Sequence, residues 1–442
     1  IRIEVYPSSS DFSVRTIGLG GMGALGVAFG SLLAMDSPAA RPVGEFNWAS
    51  VLWHELAHVF HLGLTEHEVP RWFSEGLAVH EQRRAREGWG HQVDPAFLNR
   101  YREGMLLPVS ELNSGFVQPD YPEQVVDSYL QASLVFAFIE DRWGLQVIRD
   151  MLRGYRDGRA TPELIESLLD ISMDELDRDF DEYFQQRFAS ALSSLEPPVN
   201  SPGIPENPET IEDWSRVVRE NPGNFQARLA LGYTLLQEER LEEAEEHLRA
   251  AVALFPEYGG TGSPYWHLAQ LHQQREETEE AVDALEHLTA LNESHYEAFL
   301  QLAELKTELG DTQGAAEAMD AAVLIYPYEV ELHDRLAEAH EARGDAIGAV
   351  RERRAILALE PADLAGAYYN LAVAYNMAGD PTQARWSILR ALEIAPNFSA
   401  GLELLLDLRS GAPGGAPPEP QAAGATAPQT DGVVSPAGAR SR

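Results

Sequence analysis

The sequence contains no cysteine in 442 residues. A disulfide framework is thereby excluded, and so is any thiol chemistry. Basic charge is scarce: 33 Lys and Arg stand against 70 Asp and Glu, a formal net charge of −37. So acidic a surface repels phosphate backbones and anionic headgroups, which argues against nucleic acid or an anionic membrane surface as a partner. Long apolar runs are missing too. The nearest approach to a membrane span, GLGGMGALGVAFGSLLAM over residues 18–35, is rich in glycine and reads as loop plus strand. Even so, a hydrophobic fraction of 44% permits real cores, and the length allows two or three domains. Ile1 in place of Met leaves room for an upstream signal or domain.

What is present concentrates in two short segments, HELAH at residues 54–58 and WFSEGLA at residues 72–78. Histidines four apart on a helix share one face, so His54 and His58 reach one metal ion together. Glu55 sits beside them, placed to act on a water at the metal. Glu75 follows His58 by 17 positions in a second helical segment. Two His and one Glu around an open position make the donor set of a hydrolytic zinc site. The plainer reading is an amphipathic helix with packed histidines. Against it stand the apolar neighbours Val51, Leu52, Leu56, Ala57, Val59 and Phe60, which would bury a polar trio at a cost that a metal removes. Gly76 leaves room for a close backbone approach.

Other donors are weighed the same way. A metzincin needs Gly and His at positions that here carry His61 and Leu64, so that class is excluded. His61 shares the helix face of His54 and His58 and is expected to line the cleft or bond a neighbour. Glu66 and Glu68 read as solvated turn residues, and His80 and Glu81 as outer support or surface. Residues 26–35 read as one strand, suited to pair with an extended peptide if it borders the cleft.

Together these segments resemble the gluzincin zinc metallopeptidases, specifically bacterial peptidase MA-like domains fused to tetratricopeptide (TPR) repeats. The resemblance covers about residues 1–190. It includes IRIEVYPSSSDF, GVAFGSLLAMDSP, DSYLQASLVFAFIEDRWG and LIESLLDISMDELDRDFDEYFQQRF. It implies one zinc ion held by His54, His58 and Glu75, with Glu55 as general base. A downstream Tyr that stabilises the oxyanion is common in such enzymes, and the matching residue is Tyr129. No GxMEN segment precedes the HELAH helix, so exopeptidase activity is not implied. The resemblance leans toward an exported bacterial protein, periplasmic or at the cell surface, with the cytoplasm left open.

Residues 194–209, SLEPPVNSPGIPENPE, hold five prolines and read as a linker. They separate a catalytic domain at 1–193 from a repeat domain at 210–408 and a Gly/Pro/Ala-rich tail at 409–442, expected to be disordered. In the repeats, small residues recur at Ala244, Ala281, Ala315, Ala349 and Ala384, spaced by 37, 34, 34 and 35. Twelve positions before each lies Gly232, Ala269, Ala303, Ala337 or Ala372. Prolines close the repeats at Pro256, Pro327, Pro361 and Pro396, and Glu293 stands where the second would be. This resembles five TPR repeats over about residues 222–400, with TIEDWSRVVREN as a capping half repeat. Tyr265, Trp266, Tyr368, Tyr369 and Trp386 are expected between helices, and His267, His272, His333 and His340 are assigned no metal. Such arrays offer a concave surface for peptides or proteins.

The expected fold class is therefore an α+β zincin-like metallopeptidase domain followed by an all-α TPR solenoid. The expected function is zinc-dependent endopeptidase or oligopeptidase action on a peptide or protein substrate, with a protein partner on the repeats. The alternative is a silent or latent zinc-binding TPR scaffold; the intact Glu55 favours the enzyme. The donors would also suit a zinc hydrolase of non-peptide bonds, and cobalt or manganese fit them as well.

Overall fold

A computed structural model describes residues 1–18, 23–195 and 208–410. Most of the expected linker and nearly all of the expected tail lie outside these residues. The chain divides into two compact units, residues 1–343 and 344–442. The boundary falls within the repeats.

The first unit opens with β1 (Arg2–Tyr6), α1 (Ser9–Ile17), β2 (Gly26–Phe29) and β3 (Leu32–Asp36). They form a three-stranded sheet ordered β1-β3-β2, with β1 parallel and β2 antiparallel to β3. Residues 26–35, expected as one strand, are thus a hairpin. The chain reverses after Phe29 through Gly30, whose φ of +59° suits a residue without Cβ. Apolar residues on both sides of that turn hide it in the hydropathy pattern.

Helix α2 (Trp48–Leu64) carries HELAH, and α3 (Arg71–Ala85) carries Glu75. The Asn47 side chain caps α2, accepting from the backbone N–H groups of Ala49 and Ser50 at 3.1 Å. Between the two helices Glu66 and His67 adopt φ of +53° and +68°, a tight reversal that sends α3 back past α2. Next come α4 (Pro95–Arg102), α5 (Leu112–Val117), α6 (Gln124–Trp143), α7 (Leu145–Arg156), α8 (Thr161–Leu169), α9 (Met173–Arg187) and α10 (Ala189–Ser194). Helix α3 is buried along most of its length because α6 crosses it at Gly76. A Cβ there would stand 2.7 Å from Ala132 Cβ and 3.0 Å from the Ala132 backbone, so only glycine permits this approach. Phe73, Phe136, Phe97, Phe184 and Tyr155 fill the core around that crossing.

The repeats of the first unit follow as α11 (Ile211–Glu220), α12 (Phe225–Gln237), α13 (Leu241–Leu254), α14 (Pro264–Gln274), α15 (Thr278–Leu291), α16 (Tyr296–Glu308), α17 (Thr312–Val323) and α18 (Val330–Ala342). The second unit holds α19 (Ala346–Ala358), α20 (Leu364–Met377), α21 (Pro381–Ile394) and α22 (Ser399–Ser410). The periodic small residues are buried, from Ala244 and Ala269 to Ala372 and Ala384. At Gly232 a Cβ would stand 2.8 Å from Leu248 Cγ, which shows why the position stays small. Turns inside the pairs use left-handed residues at the repeat spacing: Glu239, Glu276, Gly310, Gly344 and Gly379. Tyr265 is buried and Trp266, Tyr368 and Tyr369 are half-buried, as expected of packing residues. Trp386 departs from the expectation in part: its ring meets Tyr368 of α20 at 6.1 Å, but it is 50% exposed, with the Arg390 guanidinium 5.4 Å from its ring centre.

Within the first unit the first repeat shares its core with the N-terminal helices. Phe225 and Phe255 lie in the same buried cluster as Phe184 and Phe188. Farther along, the N-terminal part grips the repeats through polar contacts. Asn47 Nδ2 donates to Glu293 O and Trp48 Nε1 to Val323 O, each at 3.1 Å, and Ser37 Oγ meets the Tyr328 hydroxyl at 2.8 Å. Gly88, at φ of +83°, rests on the Thr289 and Ala290 carbonyls; a Cβ would be 3.0 Å from both. No described helix is long and apolar enough to cross a membrane.

Candidate functional site

His54 and His58 project from α2 toward Glu75 on α3. His54 Nε2 and His58 Nε2 are 3.1 Å apart, and Glu75 Oε2 lies 3.3 Å from the first and 3.0 Å from the second. Among the described residues this is the one group of His and acidic side chains with donors converging tightly enough to hold a metal ion. Its fit can be tested on its own geometry. Donors about 2.0–2.1 Å from a tetrahedral ion stand about 3.3 Å from one another, and the triangle here has sides of 3.0, 3.1 and 3.3 Å.

The hydrogen bonds behind the imidazoles point the same way. Gln82 Nε2 donates to the Ser50 carbonyl at 2.9 Å and to Ser50 Oγ at 2.6 Å. A carbonyl can only accept, so the amide is oriented and Gln82 Oε1 faces His54 Nδ1 at 3.0 Å. His54 therefore carries its proton on Nδ1 and turns a bare Nε2 to the triangle. Behind His58, Ser74 Oγ lies 3.1 Å from Nδ1 and 2.7 Å from His61 Nε2. Were Ser74 to accept from His58 and donate to His61, His58 Nε2 would be bare too. Two bare nitrogens and a carboxylate oxygen facing one another repel unless a cation sits among them. The donors fit a metal ion.

Without a metal ion, protons on the imidazoles hold the same three groups together. Burial works to discharge His54, yet the hydrogen bond and charge of Glu75 and the charge of Glu55 raise its pKa above the ordinary value. The Glu75 carboxyl is buried, which would raise its pKa, but hydrogen bonds from His54 and His58 hold it well below the usual range. Burial lowers the His61 pKa to about 3, so His61 stays neutral. Glu55 lies beside the triangle, 6% exposed; burial raises its pKa against the pull of His54 and His58. The room it occupies is left by Gly26 of β2, where a Cβ would come within 2.7 Å of Glu55 Cγ.

Tyr129, on α6, also reaches the site. Its ring centre is 6.0 Å from that of His54, and it lies within the fields of the Glu75 and Arg71 charges. Burial, then the Glu75 charge, pushes its pKa up, so the phenol keeps its proton. Arg71 Nε lies 3.4 Å from the other Glu75 oxygen. His80 pairs with Glu140 at 2.6 Å away from the triangle, and Glu81 pairs with Arg84 at 2.8 Å.

The structure brings together His54, His58, Glu75, Glu55, Tyr129 and His61, all singled out in the sequence, with Ser50, Ser74, Gln82 and Glu293, which were not. Gln82 had a signal: it lies seven residues after Glu75, two helical turns on and on the same face. Glu293 enters from the loop between α15 and α16. Its carboxylate accepts from Gly90 N–H at 3.1 Å, and burial pushes its pKa up to about 7.

Sequence models of the tetratricopeptide repeat match residues 225–294, 268–330 and 365–398. These segments are TPR repeats. No curated protein matches the chain. Among solved structures, the chain is similar to YrrB, described as a TPR protein with an unusual peptide-binding site: 19% identity, 44% of this chain, 98% of that one, TM-score 0.32. It is similar to MamA at 25% identity over 34% of this chain and 86% of that one, with a TM-score of 0.29. A third is TTC0263, a thermophilic TPR protein in Thermus thermophilus, at 21% identity over 42% and 97%, with a TM-score of 0.22.

Proposed function

We propose that the chain is a TPR scaffold for protein or peptide binding, with a mononuclear zinc site in its N-terminal part that hydrolyses peptide bonds. The binding role rests on the repeats, which in general present extended surfaces to peptides and proteins. The hydrolytic role rests on one observation, the donor triangle of His54, His58 and Glu75 with Glu55 buried beside it. In this reading the N-terminal part is a zincin-like domain of the gluzincin kind.

Zinc held by these residues would supply Lewis acidity, polarising a water and the scissile carbonyl. The rest is the work of the chain. Glu55 takes a proton from the attacking water and passes it to the leaving amine. Its raised pKa suits both halves of that task, because a base that is too weakly basic cannot take the proton and one too strong cannot return it. Tyr129 keeps its proton and can donate to the developing oxyanion. Strand β2 has an unpaired outer edge and passes against Glu55, so an extended substrate adding to that edge would run past the base.

The second reading is a metal-holding TPR scaffold that does not cleave. It is favoured by the comparisons, in which every family match falls on the repeats. Zinc content and cleavage of an unstructured peptide mixture, measured on wild type and Glu75→Gln, separate the two. The peptidase reading expects zinc and cleavage in wild type and the loss of both in the variant. Zinc without cleavage in wild type leaves the scaffold reading standing.

A further inference from the structure

Arg71 is the first residue of α3, and nothing about stability recommends it there. The dipole of a helix favours anions in its first turn and disfavours cations. Among the described residues the guanidinium makes one ion pair, with the carboxylate four positions on: its Nε stands 3.4 Å from Glu75 Oε1. A tight charged hydrogen bond is shorter, about 2.7–2.9 Å. So loose a pair, with the arginine side chain 51% exposed, adds little to a fold.

The place of Arg71 is informative for what lies beside it. Glu75 turns its other oxygen, Oε2, to His54 and His58. The guanidinium therefore stands one carboxylate away from the donor triangle, and Tyr129 lies within its field. The other arginines of α3 are occupied elsewhere: Arg83 donates to the His91 carbonyl and Arg84 pairs with Glu81 at 2.8 Å. Arg71 alone among them is both loosely paired and in contact with a donor residue.

Charge gives this place a consequence. Zinc at the triangle would be matched by the Glu75 and Glu55 carboxylates, even with both ionised, and the Arg71 charge is left over. The cleft would then be positive within a chain of net charge −37. An anionic group is drawn to such a cleft and repelled by the surface around it.

Resting on the peptidase reading above, we propose that Arg71 is a specificity-determining residue, binding a substrate carboxylate within two residues of the bond to be cut. An extended peptide advances about 3.3 Å per residue, which sets that reach from a guanidinium beside a metal donor. The planar fork of arginine suits a carboxylate. An Asp or Glu side chain offers one, and so does a free C-terminus.

The test is equilibrium binding to the zinc-loaded full chain carrying Glu55→Gln, so that the ligand is not consumed. A peptide that wild type cleaves is labelled and read by fluorescence anisotropy. One Glu is moved through its positions against a Gln control, with the C-terminus free or amidated. At its best position the acid should bind about five- to tenfold more tightly than its neutral control, a modest gain because the guanidinium is half exposed. Arg71→Gln should bring that ratio to about one, Arg71→Lys should keep part of it, and added salt should shrink it. A preference confined to the free C-terminus assigns the carboxylate to the chain end; one that follows Glu assigns it to a side chain. Were Arg71 only to hold Glu75 in place, Arg71→Gln would weaken zinc and both peptides alike and leave the ratio standing. That result, or no acid preference before the change, overturns the proposal while the peptidase stands. Zinc-loaded wild type that cleaves no peptide overturns the peptidase reading, and this proposal with it.

Discussion

Gly26 gives the sharpest handle on Glu55 because it touches the base and none of the donors. A Cβ built on it would lie 2.7 Å from Glu55 Cγ, 2.9 Å from Oε1 and 3.1 Å from Cδ. Ordinary carbon contacts are about 3.5–4.0 Å, so Gly26→Ala requires Glu55 to withdraw by about 1 Å. The backbone at Gly26 is plain strand, and alanine adopts it without strain. What yields is a flexible side chain, so the stability cost should sit near the low end of the roughly 1–3 kcal/mol seen for overpacking. The catalytic cost is larger: displacing a reacting group by about 1 Å can cost on the order of a hundredfold. Gly26→Ala should therefore bind zinc as wild type does, lose at most about 1 kcal/mol of stability, and cleave a reporter peptide about ten- to a hundredfold more slowly in kcat/KM. The assay compares rates at equal zinc occupancy. An unchanged rate would mean that the place of Glu55 beside the triangle is irrelevant to the chemistry. A lost zinc ion would mean that the strand and the donors are mechanically coupled.

Further outcomes follow from the same structure. Removing zinc with a chelator should lower the melting temperature of wild type and leave His58→Ala unmoved, because an ion at about a hundred times its Kd adds about 2.7 kcal/mol to the folded state; a wild type indifferent to chelator contradicts the donor set. Glu276 holds φ of +60° where three other repeats place glycine, so Glu276→Gly should stabilise the chain by about 1 kcal/mol in urea unfolding, and a loss would show that its side chain matters more than its backbone. In chelator-treated protein the folded Glu293 carboxyl keeps its proton up to about pH 7 while the unfolded one releases it near its ordinary value of 4.5. That contribution is complete below pH 4.5 and is lost as pH rises to about 7, so wild-type stability should fall relative to Glu293→Gln across the window by at most about 1.4 kcal/mol per pH unit. Parallel melting curves for the two proteins would show that Glu293 does not titrate there.

The parts that were readable in the sequence are those set by local periodicity. His54, Glu55 and His58 share a helix face by their spacing alone, and the buried small residues from Gly232 to Ala384 follow the repeat. Glu75 was readable because its segment is short and its chemistry unusual. The support of the site was not, for physical reasons that differ by residue. Gln82 carries no charge and no metal-donor signature; only its amide orientation, fixed by the Ser50 carbonyl, gives it a role. Gly90 and Glu293 meet across 203 positions, a pairing that no local pattern encodes. Glu293 showed only as a missing proline. The hairpin at Gly30 was read as one strand because hydropathy is blind to a reversal between two apolar runs. Trp386 reads as a packing residue, yet it only meets Tyr368 at its edge and stays half exposed beside Arg390.

The most direct test of the central claim compares wild type with Glu55→Gln, both with zinc quantified, on a mixed library of unstructured peptides read by mass spectrometry. The change keeps shape and removes the base, and Glu55 is no donor of the triangle. The proposed chemistry predicts one zinc ion in each protein, cleavage by wild type, and loss of nearly all of it in the variant. Equal cleavage by the two, or zinc in both with cleavage in neither, would contradict it, the second outcome in favour of a metal-holding repeat scaffold.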